Sequence, residues 1–346
     1  MYAWRLHACL PKDSRPDGEK MWEKVLKWEA VELPSLPPGY CRVRIAAAAL
    51  NRRDLWITLG LYPGIQLPAI LGSDGCGIVE AVGEGVPATW IGQRVLINPS
   101  LDWGPSEKAQ SPNYHILGMP TWGTFAQYVQ VPVENVHPVP DFLSDIEAAA
   151  VPLAGLTAYR AVFVQGRLTA GEKLLIPGIG GGVAVWALQL AVAAGAEVWV
   201  TTSRADKLQK AQALGARGGV LYTDPGWAQE LSRQAGDFDL IVDGVGGEAF
   251  PAYQNLVAPG GRIVVYGATR GNPPAFDLRK LFWRQAHVIG STMGSPANFT
   301  ALLQFITEKH LRPYVEETLP FAALPGALYH LWQGQQMGKI VLSAAP

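Results

Sequence analysis

Residues 173–207 constrain the fold of this chain more than any other stretch. The apolar run Lys173–Pro177 predicts a buried parallel strand, because both faces of such a strand are covered. A glycine cluster follows, then a helical pattern over Val183–Ala194 and a second strand, Glu197–Thr201. This order of strand, glycine-rich turn, helix and strand predicts a βαβ unit with the turn chemistry of a dinucleotide site.

The glycine cluster consists of Gly178, Gly180, Gly181 and Gly182. Glycine permits a sharp turn and lets the backbone approach a pyrophosphate, which then faces the N–H groups at the start of the helix. Read from Gly178 and Gly180, the third position of the G-x-G-x-x-G pattern is Val183. Read from Gly178 and Gly181, it is Ala184, which is small enough for close packing of helix on strand. The alternative is a glycine-rich turn that binds no ligand.

The residues after the second strand indicate which dinucleotide binds. An NAD site places an acidic residue about 20 positions past the glycines, to hold the ribose hydroxyls. This chain instead has Thr201, Thr202, Ser203, Arg204 and then Lys207. Hydroxyls and two cations favour the 2′-phosphate of NADP(H). Asp206 lies close by but belongs to the start of the next helix, and Arg204 with Lys207 could equally form a solvated helix start.

Composition excludes several classes of protein. The chain has 346 residues, of which 49% are hydrophobic and 16% charged, with a net charge of −1. We therefore expect a compact protein of two domains that binds neither nucleic acid nor a membrane. Three cysteines (Cys9, Cys41 and Cys76) are too few for a disulfide framework. With no signal-peptide pattern at the N-terminus, this predicts a cytoplasmic location.

The rest of the chain divides into two patterns. Residues 1 to about 150 show short apolar runs separated by Gly and Pro turns, which is typical of a β-rich domain. Beyond the βαβ unit, strands and helices keep alternating up to Gly290, which predicts a doubly wound parallel sheet of about six strands. Ligands bind at the carboxyl ends of such strands, so Asp243–Gly246, Tyr266–Thr269 and Gly290–Thr292 are candidate cofactor loops.

Motifs spread over nearly the whole chain resemble those of a known family. They are NRRD at Asn51–Asp54, LYP at Leu61–Pro63, GSDGCGIVEAVGEGV at Gly72–Val86, GTFAQYV at Gly123–Val129, PLAGLTAY at Pro152–Tyr159, GIGGGVA, LGA at Leu214–Ala216, PGGRIVVYGA and the closing GKIVL. In this order they resemble the medium-chain dehydrogenase/reductases, and within them the zinc-free, quinone-oxidoreductase-like branch.

The resemblance implies an α/β fold in which a Rossmann-like doubly wound parallel sheet is inserted into a GroES-like, β-rich catalytic domain. The expected domains are residues 1–145 (catalytic), 146–290 (NADP-binding) and 291–346, a C-terminal segment that returns to the catalytic domain. It also implies a homodimer formed through the exposed edge of the Rossmann-like sheet.

The resemblance includes departures that concern metal binding. The zinc alcohol dehydrogenases of the family hold their metal with Cys, His and Cys, and the matching positions here are Asn51, Ser73 and Leu153. The cysteine-rich lobe that holds a structural zinc would fall near residues 98–122, which contain no cysteine. Because zinc requires thiolate, imidazole or carboxylate ligands, we expect no metal. An unorthodox site using Asp54, Asp74 or His115 is the alternative.

Three residues are the candidates for catalysis by resemblance. Asn51 would lie near the nicotinamide and the substrate carbonyl, Arg53 would stabilise an enolate, and Tyr62 would stack on the substrate or donate to it. Each has a structural alternative: Asn51 caps a helix that begins at Arg52, Arg53 pairs with a local carboxylate, and Tyr62 lies in a turn before Pro63. Trp103, Trp122 and His115 either line the substrate entrance or form a stabilising cluster.

The candidate cofactor-binding residues combine the glycine turn with positions taken from the resemblance. They are Thr157, Gly178, Gly180, Gly181, Gly182, Val183, Ser203, Arg204, Lys207, Tyr222, Gly267, Ala268, Ser291, Thr292 and Lys339. The expected function is zinc-independent, NADPH-dependent transfer of a hydride to a quinone, an enone or a related activated carbonyl compound. An alcohol dehydrogenase with an unorthodox metal site and a non-catalytic, NADPH-binding redox sensor are the alternatives.

Overall fold

The computed structural model describes residues 1–11 and 14–344. Its strands are β1 Tyr2–Leu6, β2 Leu26–Ala30, β3 Tyr40–Ala49, β4 Ala69–Ile70, β5 Asp74–Val82, β6 Arg94–Ile97, β7 Ser100–Leu101, β8 His115–Ile116, β9 Tyr128–Pro132, β10 Val136–Pro138, β11 Lys173–Ile176, β12 Glu197–Thr202, β13 Gly218–Leu221, β14 Phe238–Asp243, β15 Val257–Val265, β16 His287–Gly290, β17 Val315–Pro320 and β18 Lys339–Ser343.

The α-helices are α1 Lys20–Val25, α2 Arg52–Thr58, α3 Asp145–Ala149, α4 Pro152–Tyr159, α5 Gly182–Ala193, α6 Ala205–Ala213, α7 Trp227–Ala235, α8 Phe250–Leu256, α9 Leu278–Arg284, α10 Pro296–Lys309 and α11 Leu324–Gln333. A π-helical segment, Arg160–Gln165, follows α4 directly. None of the helices in the described residues combines the length and the apolar character that crossing a membrane requires.

The chain forms two compact units. The first unit contains Met1–Ala154 and Ser295–Pro346, and the second contains Gly155–Gly294. These divisions, after residues 154 and 294, fall nine and four residues later than the predicted ones, after residues 145 and 290. The reason is that α3 packs on β3, β5 and β18 of the first unit. Ser144 caps α3 by accepting from the backbone N–H of Glu147, and Pro152 separates α3 from α4, because proline cannot continue the preceding hydrogen-bond ladder.

The first unit is β-rich. Its main sheet has the order β10-β6-β5-β3-β18-β17, with β9 also paired to β3. The C-terminal strand β18 runs antiparallel to β3, with Val341 opposite Ala49. A smaller sheet, β2-β1-β4, and the pair β7-β8 complete the unit. Because β18 lies directly beside β3, the end of the chain is brought next to the residues that begin α2.

The second unit is a six-stranded sheet of order β13-β12-β11-β14-β15-β16, in which every pairing is parallel. The inner strands are apolar on both faces, as expected for strands covered by helices on both sides. Helix α5 is buried over most of its surface, from Ala184 to Ala191. The predicted fold class, a doubly wound parallel sheet together with a β-rich domain, is confirmed.

The outer strand β16 and the helix before it carry exposed apolar side chains. In α9 the exposed fractions are 67% for Leu278, 65% for Phe282 and 84% for Trp283. Val288 of β16 is 44% exposed. Beyond β16 no further strand of the described residues pairs with this edge. Contiguous apolar surface of this kind, beside an unpaired strand, is typical of a protein–protein contact.

Candidate active site

The start of helix α2 holds the first set of predicted site residues. Asn51 lies at the N-cap position, and its backbone N–H donates to Oδ2 of Asp54 at 2.8 Å. The other carboxylate oxygen of Asp54 accepts from the backbone N–H of Gly72 at 3.3 Å. Asp54 therefore joins the first turn of α2 to the segment that leads into β5. These contacts fix the backbone positions from which the side chains of Asn51 and Arg53 extend.

A buried ion pair between Lys339 and Asp74 lies beside Asn51. Nζ of Lys339 is 2.8 Å from Oδ2 of Asp74, and the two side chains are 3% and 0% exposed. The same Nζ donates to Oδ1 of Asn51 and to the carbonyl oxygen of Leu50, each at 2.8 Å. Since an ammonium group has three N–H donors, all those of Lys339 are engaged within the first unit. The predicted approach of Lys339 to a cofactor stays a prediction.

Asp74 connects further parts of the first unit. Its Oδ2 also accepts from Nδ2 of Asn51 at 2.9 Å, and its Oδ1 accepts from the backbone N–H of Leu153 at 2.7 Å. The hydroxyl of Thr124 donates to the backbone carbonyl of Asp74 at 2.8 Å. One carboxylate thus contacts three separate stretches of the chain, those at Asn51, Leu153 and Lys339.

Arg53 is buried and is held mainly by uncharged oxygens. Its Nη1 donates to the hydroxyl of Ser73 at 2.8 Å and to the carbonyl of Leu117 at 2.9 Å. Its Nη2 donates to the carbonyl of Met119 at 3.3 Å. The guanidinium lies over the ring of Tyr62, with 5.2 Å from Cζ to the ring centroid. The structure therefore brings the predicted pair Arg53 and Tyr62 together through a cation–π contact.

Asp54 is fully buried, and its burial raises the pKa of this carboxyl to about 6, although the neighbouring Arg53 and the N–H of Asn51 oppose the rise. The raised pKa means that the folded protein resists ionisation of Asp54. The group therefore titrates close to neutral pH, in direct contact with the residues that begin α2.

The glycine turn of the second unit leads from β11 into α5. Gly178 has a φ of 65°, in the left-handed region that favours glycine. Gly181 is the N-cap residue of α5, and a Cβ added there would meet no atom within 4 Å. Ala184 is 3% exposed, which agrees with the reading of the motif as Gly178, Gly181 and Ala184. The open space at Gly181, facing the helix N-terminus, suits a pyrophosphate.

The segment after β12 holds the predicted 2′-phosphate group of residues. Arg204 forms a two-pronged contact with Asp206, at 2.8 Å from Nε to Oδ1 and 3.0 Å from Nη2 to Oδ2. Ser203 and Arg204 are exposed, whereas Lys207 is buried in the first turn of α6. Asp206 lies at the start of α6, as predicted. Asp206 is also the partner of Arg204.

The other predicted cofactor residues of the second unit follow the carboxyl ends of their strands, apart from Thr157 of α4. Thr157 donates to the sulfur of Met293, just past β16, at 3.6 Å. Oγ of Ser291 is buried without a hydrogen-bond partner among the described residues. The remaining members are Gly180, Gly182 and Val183 after β11, Tyr222 after β13, Gly267 and Ala268 after β15, and Thr292 after β16. Because the sheet is parallel, these strand ends share one edge.

Asp243 and Asp74 were both candidates from the sequence, but the contacts they make were not predicted. Asp243, at the end of β14, accepts from the backbone N–H groups of Val245 and Gly246 at 3.0 and 2.9 Å, and thereby shapes that loop. Asp74 was considered only as a metal ligand, and its pairing with Lys339 was not foreseen. Of the two roles considered for the tryptophans, the structure supports a stabilising one. Trp103 is 2% exposed, and Trp122 packs on the small cluster around Ile70.

Comparison with known proteins agrees with this architecture. Residues 37–141 match the alcohol dehydrogenase GroES-like domain, and residues 182–308 match the zinc-binding dehydrogenase family. A zinc-type alcohol dehydrogenase-like protein of Schizosaccharomyces pombe is 35% identical over 92% of this chain and 94% of its own. Crotonyl-CoA carboxylase/reductase of Cereibacter sphaeroides is 30% identical over 100% and 88%. A solved NAD-dependent alcohol dehydrogenase has a TM-score of 0.91 at 37% identity, with both chains covered completely.

The chain belongs to the medium-chain dehydrogenase/reductase superfamily of oxidoreductases. Its residues do not fit the zinc that the family name implies. The zinc-ligand positions hold Asn51, Ser73 and Leu153, of which Asn51 and Ser73 are engaged by Asp74 and Arg53. Within the described residues no group of three His, Cys, Asp or Glu side chains is placed to hold a metal ion. Amide, hydroxyl and alkyl groups lack the donor strength that zinc requires.

Removing the cation of the buried pair tests its structural role. Lys339→Met leaves Asp74 buried and unpaired, which we expect to lower the free energy of unfolding by about 3–5 kcal/mol. The double variant Lys339→Met/Asp74→Asn removes both charges and should recover most of that loss. Urea unfolding followed by fluorescence measures both, with Lys309→Met as an exposed control. A loss no larger than that of the control would show that the pair carries little of the stability.

Asp54 should make stability depend on pH in a direction that distinguishes it from surface carboxylates. Between about pH 4 and pH 6 the unfolded chain releases this proton while the folded chain keeps it, so stability falls as the pH rises. On lowering the pH from 7.5 to 5.0, the wild type should therefore gain about 1.4 kcal/mol relative to Asp54→Asn, because about one pH unit of this range lies below the folded pKa of about 6. Urea unfolding of both proteins at the two pH values measures this difference, and parallel curves would contradict it.

Proposed function

We propose that the protein is a zinc-independent, NADPH-dependent reductase of quinones, enones or related activated carbonyl compounds. The observation that carries the proposal is which residues occupy the three positions that match the zinc ligands of the family's alcohol dehydrogenases. Asn51 is hydrogen-bonded to Asp74, and Ser73 is hydrogen-bonded to Arg53. Leu153 has an alkyl side chain, and its backbone N–H donates to Asp74. Without a Lewis acid to form an alkoxide, the favoured substrates are those that are already electrophilic.

When bound, a reduced nicotinamide supplies a hydride to an electrophilic carbon of the substrate. The residues of the second unit that would hold the cofactor are the glycine turn, the N-terminus of α5 and the loops after the other strands. The buried, unpaired Oγ of Ser291 and the open space at Gly181 support this assignment.

The residues of the first unit would stabilise the charge that develops on the substrate oxygen. Among the described residues, no carboxylate is a hydrogen-bond partner of Arg53, so its cation is not neutralised there by a direct ion pair. Tyr62, beneath that guanidinium, supplies an O–H donor. The amide of Asn51 keeps one long contact, 3.5 Å from Nδ2 to the carbonyl of Ala49, which a substrate oxygen would replace at little cost.

The preference for NADPH rests on Ser203, Arg204 and Lys207. A phosphate dianion would compete with Asp206 for the fork of Arg204, because both acceptors bind a guanidinium in the same two-pronged way. NAD(H) is the second candidate cofactor. The carboxylate of Asp206 lies where it could accept from ribose hydroxyls, and the solved relative described above is named as NAD-dependent.

A screen of substrates tests the proposed function. Quinones, enones, aldehydes and alcohols are offered with NADPH or NADH, and the loss or gain of nicotinamide absorbance is followed before and after treatment with a chelator. We expect reduction of quinones or enones with NADPH at a rate that the chelator leaves unchanged. Activity that the chelator abolishes and zinc restores would identify a metal-dependent alcohol dehydrogenase. Tight NADPH binding without turnover of any compound would indicate a non-catalytic protein.

Two variants decide the cofactor within the same experiment. Arg204→Ala and Lys207→Ala should each raise the Kd for NADPH about tenfold or more, with a far smaller effect on NADH, because only NADPH has the 2′-phosphate. Lys210→Ala, one turn further along α6, removes an equal charge and serves as the control. Equal losses for both cofactors would count against the assignment of the 2′-phosphate to these side chains.

We also propose that the small-molecule site works in a homodimer formed by α9 and the edge strand β16. The exposed Phe282 and Trp283, next to an unpaired strand, support a second copy of the chain as the partner. A two-fold axis at that edge would pair the same surface of both copies.

Light scattering tests the dimer. The wild type should have twice the 37.3 kDa mass of the chain, and Trp283→Glu should shift it toward the single-chain mass, because a charge replaces the most exposed apolar side chain of the face. Ile91→Glu, an exposed residue of the first unit, is the control. A single-chain mass for the wild type would refute the proposal.

A further inference from the structure

Tyr114 lies beside the proposed catalytic pair in the first unit and has no role in the function described so far. It immediately precedes β8, the strand that pairs with β7 through Leu101 and His115. Its ring packs edge-on against Trp103, with 5.3 Å between ring centroids and an interplanar angle of 79°. Trp103 is buried, and its Nε1 donates to the carbonyl of Ser106 at 2.8 Å. The ring of Tyr114 is therefore supported by a fixed side chain.

The hydroxyl of Tyr114 has polar neighbours of the proposed site. Its oxygen is buried without a hydrogen-bond partner among the described residues, and the charges of Tyr62 and Arg53 act on its ionisation in opposite directions. Burial is the largest effect and raises the pKa of Tyr114 to about 12. The phenol is therefore neutral throughout the physiological range and has an O–H to donate.

Arg53 leaves a donor unused close to this segment, since its Nη1 donates to the carbonyl of Leu117, three residues after Tyr114. The three hydrogen bonds of its guanidinium come from Nη1 and Nη2, and its Nε is buried with no acceptor among the described residues. A buried N–H of a charged group without an acceptor is destabilising. A ligand that carries an oxygen with negative charge would satisfy this donor. The phenol O–H beside it would serve the same acceptor.

We propose that Tyr114 is a further substrate-binding residue, whose hydroxyl donates to the substrate oxygen on which negative charge develops, next to the guanidinium of Arg53. This inference rests on the proposed function, since it names a group of the same site. Two donors on one oxygen, a cation and a neutral phenol, stabilise an enolate or phenolate better than either alone. Tyr62 and Tyr114 would then form two aromatic walls suited to a planar conjugated carbonyl compound.

The variant Tyr114→Phe tests this inference, because it removes the hydroxyl and keeps the ring that packs on Trp103. With the acceptor found in the screen, kcat/KM should fall about 10–100-fold, as for loss of one donor to an oxyanion. The Kd for NADPH and the melting temperature should stay unchanged. Tyr128→Phe, in β9 of the same unit, is the control. A kcat/KM within about twofold of wild type would overturn the inference and leave the proposed function intact.

Benzoate, a planar anion that cannot be reduced by this chemistry, separates the inference from the proposed function. Calorimetry should show benzoate binding to the wild type, with the Kd raised about tenfold or more in Tyr114→Phe and unchanged in Tyr128→Phe. If no compound of the screen is reduced but benzoate binding depends on Tyr114, the anion site stands and the proposed function fails. Absence of benzoate binding to the wild type, or equal binding to both proteins, would overturn the inference.

Discussion

The ion pair between Lys339 and Asp74 is the interaction on which the first unit's site depends. Both side chains are almost completely buried, and burying two charges costs several kcal/mol for each unless every donor and acceptor is satisfied. Here all three N–H groups of the lysine have oxygen partners, and both oxygens of the aspartate accept hydrogen bonds. Satisfied in this way, the pair holds Asn51 in a single position beside the strand that ends the chain.

The two units stabilise charge by different means. In the first unit, buried side chains provide this stabilisation. Arg53 is anchored by the hydroxyl of Ser73 and by two backbone carbonyls, and no carboxylate of the described residues is hydrogen-bonded to it. In the second unit, the backbone provides it. The left-handed Gly178 and the open face of Gly181 present the N-terminus of α5 to an anion. The side-chain cations predicted to assist there, Arg204 and Lys207, follow β12, where Arg204 is shared with Asp206.

Much of the second unit was predictable from the sequence. Strands β11 and β12 lie within a residue of their predicted bounds, because apolar runs bounded by glycine have few other solutions in a parallel sheet. The boundaries between the units were less predictable. Helix α3 has the pattern of any short helix, and its assignment to the first unit comes from packing on β3 and β5. The break before Pro152 and the π-helical segment after Tyr159 were not predicted.

The sequence by itself determined the parallel fold of the second unit, the glycine turn and the absence of thiolate or imidazole at the zinc-ligand positions. The fold and the glycine turn follow from residue type and short-range spacing, on which turn chemistry depends. The zinc-ligand positions are those that the resemblance to the family implies. Only the tertiary structure decided which charged groups meet. Lys339 and Asp74 are 265 residues apart and contact each other because β18 pairs with β3. Tyr114 packs on Trp103 three residues before Leu117, whose carbonyl accepts from Arg53. Such pairings depend on the register between distant strands and on loop packing, which no local pattern records.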